Sequence, residues 1–114
     1  PWVVHVSHIP YAQMPAYFSF AKVCVSASWF ETTGLTLLEA LFCKTNAVST
    51  SPRAKEILGD YASYCSPENI DSIARAIKLE YFKERPVIAP TMRQEYTWQN
   101  AASKTLRVYR ELLS

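Results

Sequence analysis

Apolar positions in this chain occur as short runs of two kinds that take turns along the sequence. Compact or β-branched runs at residues 3–7, 23–27, 46–49 and 62–65 have the length and make-up of buried parallel strands. Between them lie segments with helical spacing or helix boundaries: 14–20 after a proline-bearing turn, 35 to about 43, and 53–58 closed by Gly59. Ser66-Pro67-Glu68-Asn69 opens a longer amphipathic helix in which Ile70, Ile73, Ala74 and Ile77 recur at 3/4 spacing. Pro86 and Pro90 mark a break before a last helix over 98–113. Strands alternating with helices over short links predict an α/β fold: a parallel sheet with flanking helices and right-handed crossovers, Rossmann-like in type.

One helix stands apart. Around Glu39, the residues from Leu35 to Cys43 are apolar or small, and such a helix is normally buried. A carboxylate there needs a hydrogen bond, a cation or a ligand. Gly34 sits at the entry of the same helix, where unpaired N–H groups and partial positive charge suit a phosphate. Ligands of open parallel sheets lie beyond the carboxyl ends of the strands. The loops 26–33 and 49–53 leave such ends, so both should face one crevice with this helix start. A helix N-terminus beside a stranded carboxylate suits a sugar nucleotide.

Composition narrows the alternatives. A chain of 114 residues, 49% hydrophobic and 19% charged, is expected to form one globular domain over 1–114 without staples. A net charge of +2 with no Lys/Arg stripe argues against nucleic acid as a partner. Cys24, Cys43 and Cys65 are odd in number and widely spaced, which favours free thiols in a reducing compartment. His5 and His8 have no third ligand nearby and read as ordinary strand and loop residues. With only Asp60 and Asp71 and no D-x-D, a metal-bridged diphosphate is not indicated, so neither metal nor other cofactor is expected.

The stretch Ala27-Ser28-Trp29-Phe30-Glu31-Thr32-Thr33-Gly34-Leu35-Thr36-Leu37-Leu38-Glu39-Ala40 resembles the E-x7-E signature of retaining glycosyltransferases with the two-Rossmann GT-B fold, family 4 in particular. The resemblance continues in order. Met14 through Val23 is similar to the family's helix and strand entry before the signature. Asn46 through Thr50 and Ala54 through Leu58 are similar to its next strand and helix, and Tyr96-Thr97-Trp98-Gln99 to the step before its last helix. Nearly the whole chain is covered. The resemblance implies the latter part of a GT-B C-terminal domain, about a third of a full enzyme that also has an N-terminal Rossmann domain and an Arg/Lys-bearing upstream loop.

Residue by residue, the resemblance assigns Glu31 to the hydroxyls of the transferred sugar, the catalytic position, and Glu39 to the nucleotide ribose. Backbone N–H groups of Thr33, Gly34, Leu35 and Thr36 would take the distal phosphate. Plainer readings exist for each: a solvated loop acid for Glu31, a buried ion pair for Glu39, helix capping by Thr32 or Thr33. Tyr11, Tyr17, Phe18 and Phe20 read as helix packing rather than a base-stacking platform, and Arg53 and Lys55 as solvated surface. The sequence departs from the family at Lys44-Thr45-Asn46, where a Gly-x-Pro is usual. It departs again at Pro52-Arg53, where two glycines are usual, at Thr32, and at Ser7. The expected protein is a metal-independent transferase taking a nucleotide-diphosphate sugar and an unidentified acceptor, with the isolated segment inactive and prone to self-association. Its expected location is the cytoplasm, with the full-length enzyme peripheral at a membrane. A catalytically silent binding module and a nucleotide-sugar epimerase are the competing readings.

Overall fold

The computed structural model describes residues 2–114. Three strands, β1 (Val23–Ser26), β2 (Asn46–Ser49) and β3 (Ala62–Tyr64), form one parallel sheet in the order β1-β2-β3. Helices α1 (Met14–Phe20), α2 (Leu35–Phe42), α3 (Ala54–Leu58) and α4 (Ile70–Phe82) flank it, followed by α5 (Pro90–Glu95) and α6 (Trp98–Leu113). This is the α/β, Rossmann-like arrangement that the alternating runs predict. Strand β2 is central and every one of its residues is buried, which is why its run reads as continuous rather than alternating. The core joins Leu37, Leu38 and Leu41 of α2 to Ala47, Ala54 and Leu58.

The exit of α2 explains one departure from the family pattern. Thr45 N–H donates to Ala40 O and Lys44 N–H to Leu41 O, both at 2.9 Å, closing a Schellman turn. That turn puts Lys44 at φ 62°, the left-handed region that glycine enters most cheaply. Lysine therefore holds the glycine geometry at this position. Asn46 stands where proline is usual, and its buried Nδ2 donates to Glu80 O at 2.7 Å and Lys83 O at 3.2 Å. The side chain thereby ties the end of α4 to the start of β2, which proline could not do.

Four expectations are corrected. Residues 3–7 form no strand and lie exposed, Val4 at 78%. A strand needs a hydrogen-bonded neighbour, and none pairs with this run among the described residues. Pro90 does not merely break the chain but opens α5 from its first position, where a missing N–H costs nothing. The buried side of α4 is Ala76 and Glu80 with Ile73 and Ile77 half-covered, whereas Ile70 is 82% exposed and Ala74 also faces out. Of the four aromatics expected to pack, only Phe18 is buried; Tyr11, Tyr17 and Phe20 are exposed.

Candidate functional site

The site is built where β1 and β2 end and α2 begins. Gly34 takes φ 67° and ψ 30°, so the chain enters α2 through a left-handed residue. It is buried: a Cβ added there would lie 3.5 Å from the Ala54 Cβ and 4.0 Å from the Glu31 Cγ. The loop after β1, the start of α2 and the start of α3 thus meet, as the topology predicts. Thr50 holds this convergence. Its N–H donates to Ser26 O at 3.1 Å and its Oγ1 to Ser28 O at 2.6 Å, linking the loops that leave β1 and β2. Nothing local in the sequence marks Thr50, because its partners lie more than twenty positions upstream.

At the α2 entry, Gly34 O accepts from Leu37 and Leu38 N–H, both at 3.1 Å. The N–H groups of Gly34, Leu35 and Thr36 make no hydrogen bond among the described residues, and no side chain caps the helix. The capping role considered for Thr32 and Thr33 is therefore absent; both side chains are exposed. Glu31 is half-buried and its Oε1 accepts from the Thr32 N–H at 3.1 Å, which folds the carboxylate back beside Gly34. Leu35 and Thr36 are exposed, while Leu37, Leu38, Ala40 and Leu41 face the core.

Glu39 lies on the boundary between those faces, half-buried rather than fully enclosed as the apolar run implies. It makes no ion pair among the described residues. Its Oε1 accepts from the Tyr11 hydroxyl at 3.1 Å, across 28 positions of sequence. That hydrogen bond, then the carboxylate charge and a little lost hydration, hold the Tyr11 phenol above the usual tyrosine range. Glu39 and Tyr11 also line a cavity of about 390 Å³, walled by Leu35, Leu38, Tyr96 and Trp98. The fully enclosed carboxylate of the fold is instead Glu80, 0% exposed, which accepts from Ser63 Oγ at 2.7 Å and from Lys83 Nζ at 3.1 Å. Its Oε2 has no hydrogen-bond partner among the described residues. Sequence reasoning missed it because its helix face was set one step off.

The other candidates make none of these contacts. His5 and His8 are exposed on the N-terminal segment. Arg53 is exposed at the start of α3, and Lys55 stands 5.9 Å over the Tyr64 ring. Cys24, Cys43 and Cys65 are free, each half-buried, and burial raises the thiols of Cys24 and Cys65. Among the described residues no group of three His, Cys, Asp or Glu side chains is gathered to hold a metal ion. Among the described residues, no helix is long and apolar enough to cross a membrane.

Comparison with known proteins adds a family to this geometry. The model of the family described as glycosyl transferases group 1 matches residues 2–79. The O-antigen chain mannosyltransferase B of Escherichia coli is 24% identical over 117 residues, an alignment covering 97% of this chain and 31% of that protein. The chain thus spans about a third of the length of this curated relative. No solved structure matches it.

Proposed function

Because this chain belongs to the group 1 glycosyl transferases, we propose that it forms the donor-binding part of a retaining, GT-B-type sugar transferase of family 4. Residues 1–114 would be one Rossmann-like unit, and an N-terminal Rossmann domain elsewhere in the protein would complete the cleft. The share of the mannosyltransferase that the chain covers is compatible with such a second part.

The observation that carries this reading is the α2 entry: among the described residues the N–H groups of left-handed Gly34 and of Leu35 and Thr36 are free, and neither Glu31, beside Gly34, nor Glu39, further along α2, has a cation partner. In the proposed complex the Gly34, Leu35 and Thr36 amides, with Thr33 beside them, receive the distal phosphate. The helix dipole adds partial positive charge where the leaving diphosphate gains negative charge. Glu39 accepts from the two ribose hydroxyls, a pairing that suits a carboxylate facing a cis-diol. Glu31 contacts hydroxyls of the transferred sugar as the anomeric centre becomes oxocarbenium-like. This chemistry asks for no metal, and the proposed reaction uses none. The acceptor would approach from the other Rossmann domain. Free thiols fit a cytoplasmic setting, with the full-length enzyme peripheral at a membrane as in the expectation from sequence.

Titration of the full-length protein with UDP, GDP and ADP, and with sugar conjugates of the tightest binder, tests the reading. Loss of a charge-assisted acceptor costs about 1.5–3 kcal/mol, so Glu39→Ala should weaken nucleoside diphosphate binding roughly 10- to 100-fold. Glu31→Ala should leave nucleoside diphosphate binding intact but weaken the sugar conjugate and abolish transfer. Unchanged binding in both variants would sink the assignment.

A further inference from the structure

We propose that Tyr11 is a positioning residue for Glu39, holding one carboxylate oxygen so that the pair selects ribose over deoxyribose in the donor nucleotide. This rests on the donor-binding reading above and names a specificity element within it. Packing was the role expected for Tyr11 from sequence; at 78% exposure it does little packing. What it does is donate its hydroxyl proton to Glu39 Oε1 at 3.1 Å. No other hydrogen bond and no ion pair restrains that carboxylate among the described residues.

Both partners are anchored at their backbones. Tyr11 opens a tight turn, Tyr11–Gln13, whose Gln13 N–H donates to Pro10 O at 2.8 Å, and the Pro10 ring fixes the approach. Glu39 is carried by α2, whose neighbours Leu38 and Ala40 are buried. Without the phenol, the Glu39 side chain would rotate through several rotamers, and binding would have to order it. A carboxylate offers about four lone-pair sites, so one bond from tyrosine leaves room for two ribose hydroxyls. Two cavities adjoin the pair, one of about 390 Å³ and one of about 210 Å³, and Tyr11, Glu39 and Phe42 line both. The hydrogen-bonded pair therefore sits where two openings meet instead of lying on a featureless surface. A phenol held protonated by the carboxylate it serves remains a donor throughout the neutral range.

The test compares wild type, Tyr11→Phe and Glu39→Gln in the full-length protein. Each is titrated with the tightest-binding of UDP, GDP and ADP, with its 2′-deoxy form, and with inorganic pyrophosphate. The expected result is a wild-type preference for the ribonucleotide that falls about fivefold in Tyr11→Phe, with pyrophosphate affinity unchanged; one hydrogen bond of ~1 kcal/mol corresponds to that factor. A mere packing defect would weaken all three ligands together and would overturn the proposal. A wild-type preference retained in full by Tyr11→Phe but lost in Glu39→Gln would overturn the role of Tyr11 and leave the donor-binding reading standing. No ribose preference in wild type, or none lost in Glu39→Gln, would bring down both.

Discussion

At the scale of single residues, Lys44 shows how a backbone demand survives a change of side chain. The Schellman turn requires a left-handed residue after α2, and a non-glycine residue pays about 1 kcal/mol to take that conformation. Lys44→Gly is therefore expected to raise unfolding stability by about 1 kcal/mol, read as a higher urea midpoint with an unchanged slope. An unchanged or lower midpoint would show that the Lys44 side chain contributes enough elsewhere to offset the strain. Gly34 meets the same demand at the other end of α2, and there the glycine is present. Its role was legible because glycine before a helical run is a local signal. The Tyr11–Glu39 pairing was not, because 28 residues separate the partners and only the packing of the turn before α1 against α2 brings them together.

Elements in this protein are joined by buried polar ties as much as by apolar contact. Asn46 of β2 donates to two carbonyls at the end of α4, and Thr45 Oγ1 donates to Phe18 O of α1. Both side chains are buried, so these bonds have no solvent competitor. Asn46→Ala should destabilise the chain by about 2 kcal/mol, since it strips the buried Glu80 carbonyl of its side-chain donor, while Lys83 O keeps Lys22 Nζ at 3.4 Å. Asn46→Asp should cost more, because a carboxylate would face carbonyl oxygens. Urea melts of the two variants check the order, and a larger loss for alanine would contradict it. Element types were readable from periodicity in most of the chain, yet the face of α4 was not. Ile70, Ile73, Ala74 and Ile77 satisfy a helical stripe as well as Ile73, Ala76, Ile77 and Glu80 do, and only contact with β2 and β3 chooses between them.

On the scale of the whole molecule, much apolar surface is uncovered. The chain exposes 8677 Å², against about 6,300 Å² for a compact protein of this mass. Its radius of gyration is 16.2 Å, where roughly 13 Å is usual for this length. Helix α6 accounts for much of this. It carries Leu106, Val108, Tyr109, Leu112 and Leu113 exposed, with Arg107, Arg110 and Glu111 opposite most of them. An amphipathic helix whose apolar face is uncovered seeks a cover, and on its own this chain is expected to pair with a second copy through α6. Multi-angle light scattering across a concentration series should show mass rising above 13.0 kDa, and Leu106→Glu with Tyr109→Glu should restore the monomer. A constant monomer mass in the unaltered chain would refute this.

By itself the sequence determined the α/β order and the glycine-led entry to α2, because each depends on neighbours along the chain. Tertiary structure alone decided that residues 3–7 stay unpaired, that Glu80 and not Glu39 is the enclosed carboxylate, and that Tyr11 and Thr50 belong beside the crevice. Burial and hydrogen bonding are properties of what lies across space. A local pattern can propose a face, but only the neighbour that covers it makes that face the inside.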